Sequence, residues 1–393
     1  MSLAKVLNVG HGDCMILTPP NGCLYNSKTI FVDLGPGQVD ITKHISETER
    51  VHIFISHHDA DHLNGLKFFS STMGRVNGIT VPLYQNEITL IAKCILSLKG
   101  MREAKDCGEF IRLLEDILEN QIYLKKITSE TMTGPQLSFG FESKCFWKHI
   151  ICLNPPIVPD TFNWLRESSL NALTAVVNDI FEPAFAKSFN NYLRGMASGY
   201  QIEDAPDIQY ITLEESEDVF RNNNAFQRKG SYVVDFIMHN LELFRRFNAA
   251  PNRENLRVVY ECFQKCSHDM CMVLKVEFLD KTFLLTGDAS KKVFNRLIEN
   301  GSDLSADYLK MPHHGSIKNI SIDILRRIHP KAVIISHNNR RFGKASDTLP
   351  NTEVLAALEK LGIQIMLTNN VCKNGVSCLQ KSEHLGDEYV EIL

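Results

Sequence analysis

Six consecutive residues, His57-His58-Asp59-Ala60-Asp61-His62, bring three imidazoles and two carboxylates together in one short stretch of chain. Carboxylates crowded in this way repel one another unless a cation lies between them, and divalent metals accept both carboxylate and imidazole ligands. The competing reading is a solvated polar turn between a strand and a helix, with Asp61 as the helix N-cap. Two later turns add candidates. The apolar run 281–285 reads as a strand that stops at Gly287-Asp288, and 307–311 leads into Pro312-His313-His314-Gly315-Ser316. Either motif alone is an ordinary turn or an ordinary histidine pair. Three such turns, each closing a strand, can converge on one sheet edge, which is how a fold collects metal ligands from distant sequence.

The elements that would position these residues follow from periodicity. Residues 4–18, 28–33 and 51–55 read as strands separated by turns containing Gly and Asn, and 79–83 as another short strand. Leu63 to Phe69 reads as the start of a helix. Between Glu87 and Leu124 apolar positions recur at helical spacing, and 143–153 reads as a strand stopped by Asn154-Pro155-Pro156. Residues 160–265 look mostly helical. After His314 the order is helix (320–328), strand (332–336), helix (352–361) and strand (363–368), an alternation that suits one βα half of a layered sandwich.

Composition fits a cytoplasmic enzyme. A length of 393 residues could hold two or three average domains, and a net charge of −4 argues against a protein that coats nucleic acid globally. The 11 cysteines are odd in number and scattered; the tightest group, Cys262, Cys266 and Cys271, lacks a Cys-x-x-Cys spacing, so reduced and mostly buried thiols are expected. No basic region followed by a long apolar core opens the chain, and no stretch approaches the ~18 apolar residues of a membrane span. Charge is uneven: 203–218 holds seven acidic residues and no basic one, 221–257 holds seven basic residues against three acidic, and 318–344 holds a second basic group. Basic groups beside a metal centre would suit a phosphate-bearing substrate, nucleic acid above all; solvated helix and loop faces are the alternative.

Five motifs in order carry a resemblance to a known family. They are Leu7-Asn8-Val9-Gly10-His11-Gly12-Asp13-Cys14, Ile30-Phe31-Val32-Asp33-Leu34-Gly35, His57 to His62 as His-x-Asp-x-Asp-His, Leu284-Leu285-Thr286-Gly287-Asp288, and Pro312 to Ser316. The set resembles the metallo-β-lactamase superfamily, and within it the hydrolase domain of ComEC-type competence proteins. The likeness covers residues 1 to about 83 and about 268 to 393. It implies an α/β fold, a four-layer αββα sandwich in two halves, 1–159 and 267–393, around a mostly helical insertion at 160–266.

The resemblance also implies a site for two divalent ions, zinc or manganese. His57 and Asp59 would belong to the first ion, Asp61, His62 and His313 to the second, and Asp288 would bridge them. Asp59 in place of the usual imidazole adds a hard oxygen ligand and shifts preference from zinc alone toward manganese or a mixed site. Paired ions roughly 3.5–4 Å apart would clamp an in-line displacement at phosphorus. Asp61, His314 and Lys310 would take part in catalysis, His314 as proton donor and Lys310 as a charge on the scissile phosphate. His58 would point away from its neighbours in an extended segment and is read as a non-ligand.

Two departures from the family pattern stand out. The turn Ser267-His268-Asp269 could supply a further first-ion ligand through either His268 or Asp269. The branch's later His-Pro pair is replaced by Leu349-Pro350, leaving His314 or His337 to substitute. The expected activity is a two-metal phosphodiesterase, foremost a DNA or RNA nuclease; hydrolysis of a small phosphodiester and a non-catalytic scaffold role are the alternatives. A stand-alone hydrolase with an insertion able to meet a protein partner would suit an effector in a multi-protein system such as bacterial antiviral defence.

Overall fold

The computed structural model describes residues 4–18, 28–57, 59–82, 123–127, 150–154, 171, 175, 178, 268–269, 271–278, 281–339, 348–373, 376–379 and 389–392. Almost all belong to one unit, Met1–Leu83 with Ile122–Pro155 and His268–Leu393. A second unit comprises Tyr84–Gln121 and Pro156–Ser267. The helical periodicity read over most of 87–124, the insertion at 160–266 apart from residues 171, 175 and 178, and the basic group at 221–257 lie outside the described residues, as does His58.

Two mixed sheets form the first unit. In the first, β1 (Ala4–Leu7), β2 (Cys14–Leu17), β3 (Lys28–Leu34), β4 (Arg50–Phe54), β5 (Val76–Pro82) and β6 (Tyr123–Ile127) lie in sequence order, and β15 (Tyr389–Ile392) flanks β1. Strands β3 to β6 run parallel; β2 is antiparallel to both its neighbours, and β15 is antiparallel to β1. The second sheet has the order β12 (Gln364–Leu367), β11 (Ala332–Ile335), β10 (Tyr308–Lys310), β9 (Lys281–Leu285), β8 (Val273–Phe278), β7 (Ile150–Asn154). Strands β9 to β12 are parallel, while β8 is antiparallel to β7 and β9. A small hairpin, β13 (Val371–Lys373) with β14 (Val376–Leu379), stands apart from both.

The parallel strands carry the unbroken apolar runs that burial on both faces requires: β11, Ala-Val-Ile-Ile, is buried throughout. One cluster joins the sheets face to face, with Val6, Met15, Ile30 and Phe54 from the first against Leu274, Phe283, Ile334 and Met366 from the second. A second cluster packs the opposite face of the second sheet (Val273, Leu284, Leu309, Val333) under three helices. These are α2 (Lys291–Glu299), α3 (Ile322–Ile328) and α4 (Thr352–Lys360), and each buries one apolar stripe, such as Val293, Phe294 and Leu297 of α2. Ser321 caps α3 by accepting from the Ile324 N–H, and His329 ends it in the left-handed region.

After His57 the chain makes one helical turn, α1 (Ala60–Leu63), and continues as a 3-10 helix, Asn64–Arg75, where a regular helix was expected. Gly65 explains how this segment lies against the first sheet. A Cβ there would stand 1.9 Å from the carbonyl oxygen of Leu34, so only glycine lets the backbones meet. Gly65→Ala should therefore cost about 3 kcal/mol, the upper end of overpacking penalties. Gly301→Ala, whose Cβ would meet nothing within 4 Å, should cost about 1 kcal/mol from its left-handed backbone alone. Urea denaturation of both variants checks the difference.

Candidate metal centre

Every turn that carries a candidate ligand lies at the same edge of the sandwich. His57 follows β4, Asp288 follows β9, and His313 and His314 follow β10. His268 precedes β8, whose antiparallel pairing with β9 brings its start to the end of β9. The two sheets are tied together here, since the Met272 N–H donates to the Ser56 carbonyl at 2.7 Å. The Asp59 carbonyl accepts from the N–H groups of His62 and Leu63 at 2.9 and 3.1 Å, which curls Asp59, Asp61 and His62 around one point. His313 and His314 both adopt left-handed backbone, φ 48° and 53°. Such conformations cost roughly 1–3 kcal/mol each and persist where the surroundings fix them.

Asp288 occupies the middle. Its Oδ2 faces the Nε2 atoms of His57 (3.8 Å), His268 (3.8 Å) and His313 (3.7 Å), and its Oδ1 faces Nε2 of His62 at 3.4 Å. Asp59 Oδ2 lies 3.5 Å from His57 and 3.8 Å from His268, on the first side. Asp61 Oδ2 lies 3.3 Å from both His314 and His11, on the second side. Two ligand groups able to hold a cation therefore share Asp288: His57 with His268, and His62 with His314.

The outer faces of the imidazoles fix their protons. Nδ1 of His62 meets Asp33 Oδ2 at 2.8 Å, Nδ1 of His313 meets Asn319 Oδ1 at 3.0 Å, and Nδ1 of His314 meets the Ser336 carbonyl at 3.0 Å. The Asn319 amide nitrogen donates to the Asp288 and Ala289 carbonyls, so its oxygen is the atom that faces His313. Each Nδ1 is thus a donor, and each Nε2 turns a lone pair toward the central carboxylates, the arrangement of metal-ligating histidines. His62 Nε2 and Asp288 Oδ1 are buried with no hydrogen-bond partner among the described residues. Lone pairs facing one another need a cation between them. A cation with bonds of ~2.0–2.1 Å and tetrahedral angles has ligands about 3.4 Å apart, and the spacings around Asp61 and His62 match that. The residues fit divalent metal.

Electrostatics agree. Burial would raise the Asp61 and Asp288 carboxyls, yet the His11 and His314 imidazoles beside it hold Asp61 well below the usual range, and His313 and His62 do the same for Asp288. Burial would depress His62 and His314, but Asp288 and Asp33 hold His62 well above its ordinary value, and Asp13 and Asp61 hold His314 up at about 9. His268 is raised too, by Asp59 and Asp288 against its burial. In His313 burial wins and the value falls. The cluster pulls in positive charge, which a proton or a metal ion can supply.

His57, Asp59, Asp61, His62, His268, Asp288, His313 and His314 share the cluster. Of the pair at 268–269, His268 faces it; Asp269 accepts from Ser290 and pairs with Lys292 at 3.4 Å. The pattern expectation puts His313 at the second ion and leaves His314 free as a proton donor. Here His314 stands between Asp61 and His62, and His313 faces the same Asp288 oxygen as His57 and His268. Lys310, expected on a phosphate, is buried with its Nζ 2.7 Å from Asp13. It thereby helps to hold Asp13 well below the usual carboxyl range, against burial. His337 is buried behind the cluster and bonded through Nε2 to the Asn369 carbonyl at 2.9 Å; burial pushes it down to about 4.

Sequence reasoning assigned no role to Asn319 or Cys271, and knew Asp13 and Asp33 only as parts of the resembling motifs. Asp33 had a faint signal, an acid ending an apolar strand; Asn319 had none. The Cys271 thiol lies 3.7 Å from His57 Nδ1, and burial pushes it well above its usual range, so it remains a neutral packing group.

Asp33→Asn tests the orienting role. Asp33 Oδ1 accepts from the Ser56 N–H, and Oδ2 accepts from the Ser56 hydroxyl and meets His62. An amide NH₂ turned toward His62 would force the tautomer that protonates Nε2; turned the other way, it would face the Ser56 N–H. The variant should fold but bind zinc about 10–100-fold more weakly, as measured by competition with a chromogenic chelator.

No family model matches the chain. A stretch of 99 residues is 29% identical to ComE operon protein 3 of Bacillus subtilis (strain 168), and covers 25% of this chain and 12% of that protein. The chain therefore spans only a small part of that relative's length. Among the described residues no helix is long and apolar enough to cross a membrane. What is established is a mixed α/β unit of two sheets that gathers buried His/Asp clusters able to hold metal ions at one edge.

Proposed function

We propose that this chain is a two-metal phosphodiester hydrolase of the metallo-β-lactamase fold, acting foremost on DNA or RNA. The observation that carries the reading is the shared Asp288, with imidazole Nε2 atoms converging on both of its oxygens. His57, Asp59, His268 and Asp288 would hold one cation, with His313 at their side. Asp61, His62, His314 and Asp288 would hold the other. Bound there, divalent cations supply polarisation of a phosphoryl oxygen and acidification of a water.

The protein's own part is orientation and charge. Asp33, Asn319 and the Ser336 carbonyl fix the imidazoles, and Lys310 acts through Asp13 as a positioning residue. A purely structural module has no need of carboxylates pressed this close, which favours the enzyme over the scaffold alternative. For substrate, the motif resemblance to competence hydrolase domains favours a polynucleotide. The described part of the second basic group adds little: Arg326 pairs with Asp323 at 3.1 Å and Lys331 with Asp307 at 2.6 Å.

The deciding assay incubates the protein with plasmid, single-stranded DNA, RNA and cyclic nucleotides under manganese or zinc. Cleavage of a polynucleotide that falls steeply with salt supports the nuclease reading, because each neutralised phosphate releases counterion. A flat salt profile with turnover of cyclic nucleotides moves the reading to the small phosphodiester. Asp288→Asn should lose at least ~10²-fold in rate, since both cations lose a shared ligand. Chelator-insensitive cleavage would sink the metal mechanism.

The histidine pair is separable in the same assay. His313→Ala and His314→Ala should each lower bound metal. Full metal content in His314→Ala, with a rate loss of about 10²–10⁴-fold, would instead make it the proton donor implied by the sequence pattern.

A further inference from the structure

Where the resembling motif carries glutamine, this chain has His11, and the fold drives that residue into the cluster. The loop from Gly10 to Asp13 is fastened directly to the metal-binding turn: the Asp13 N–H donates to the Asp61 carbonyl at 3.2 Å, and the Asp13 carbonyl accepts from Gly35 at 2.8 Å. Gly12 makes the contact possible. Its φ is +142°, and a Cβ on it would stand 2.3 Å from the Asp61 carbonyl oxygen. Asp13 is anchored in turn by Lys310 at 2.7 Å. Little freedom remains for the residue between the two glycines.

His11 is buried, and its Nε2 lies 3.3 Å from Asp61 Oδ2, the oxygen that His314 Nε2 approaches at the same distance. The His11 and His314 rings stand with centroids 4.3 Å apart. The His11, Asp61 and His314 ligand atoms all lie within 4.8 Å of one another, and His314 also belongs to the group with His62 and Asp288. A direct N–H···O bond is usually nearer 2.9–3.0 Å. Two nitrogens at 3.3 Å from one carboxylate oxygen match the edges of a coordination polyhedron about as well as those around Asp288 do.

We propose that His11 is a ligand of the second cation, joining Asp61, His62, His314 and Asp288 in a set richer in imidazole than the motif pattern implies. The proposal rests on the two-metal reading. Each position has one carboxylate of its own, Asp59 or Asp61, so the third imidazole that His11 adds beside His62 and His314 makes this position softer than the first, which has His57 and His268. The two positions should then differ in metal preference, zinc favouring the His11 side with its three imidazoles and manganese the His57 side with two.

The test uses the full chain and the metal alone. Wild type and His11→Gln are stripped with chelator, checked for equal thermal unfolding in that state, and titrated with Co²⁺ and Zn²⁺. Wild type should take up two equivalents. His11→Gln should keep one and bind the other at least ~10²-fold more weakly, beyond what loss of a merely orienting partner produces, with a changed Co²⁺ visible absorption. Two equivalents at wild-type affinity and an unchanged spectrum in His11→Gln would overturn the proposal.

A second measurement needs no variant. In wild type loaded with a spin-active cadmium isotope and nitrogen-labelled histidine, His11 Nε2 should show a one-bond coupling to cadmium. A hydrogen bond to Asp61 alone would give none, and its absence would overturn the assignment. Failure of wild type to bind any metal would overturn the two-metal reading as well, so the two failures are told apart before the variant is compared.

Discussion

Mutual repulsion among carboxylates is the constraint on which the rest of this structure depends. Asp13, Asp33, Asp59, Asp61 and Asp288 all reach one edge of the sandwich, and Asp13, Asp33 and Asp288 are almost wholly buried. An uncompensated buried charge costs several kcal/mol even after relaxation. The fold answers in layers. Lys310 neutralises Asp13, while the Ser56 N–H and hydroxyl together with His62 satisfy Asp33. Asp59, Asp61 and Asp288 remain in the centre, faced there by imidazoles, among which His62, His268 and His314 have their proton affinity raised. Positive charge at that point is a condition of the fold's stability as much as of any chemistry.

That constraint explains what was legible in the sequence. The run from His57 to His62 announced itself because crowded acids and imidazoles at a strand end have few other uses. Asp288 and the pair at 313–314 were readable as strand-ending turns. The strands were readable as well, because parallel strands buried on both faces leave unbroken apolar runs. The residues that fix tautomers were not. Asn319 acts only through what it touches, His313 on one side and two backbone carbonyls on the other, and no spacing encodes that. His11 was visible only as one member of a motif. The choice between His268 and Asp269 depended on a single turn that sends Asp269 toward Ser290 and Lys292. Lys310 looked like a free cation because its partner lies 297 positions away.

Rigidity in the centre comes from the backbone. Gly65 lets the segment after α1 lie on Leu34, the Met272-to-Ser56 hydrogen bond joins the two sheets beneath His57, and the left-handed pair at 313–314 turns two successive imidazoles inward. The left-handed pair is costly alone and is held by its neighbours. Ligands placed in this way keep their geometry without help from a bound substrate, as a preorganised centre requires.

The pairing of β1 with β15 carries a consequence for how the molecule is made. Residues 4–7 lead directly to the His11 loop, and they pair with residues 389–392. During synthesis the first of these strands leaves the ribosome hundreds of residues before its partner. Until then β1 has β2 on one side and an open edge on the other, the kind of surface on which nascent chains associate wrongly. Contacts of such long sequence separation form slowly. The ligand cluster is therefore a late product of translation, completed only once β8 to β11 have emerged, and a chain arrested midway carries the acidic half of the centre without the half that balances it.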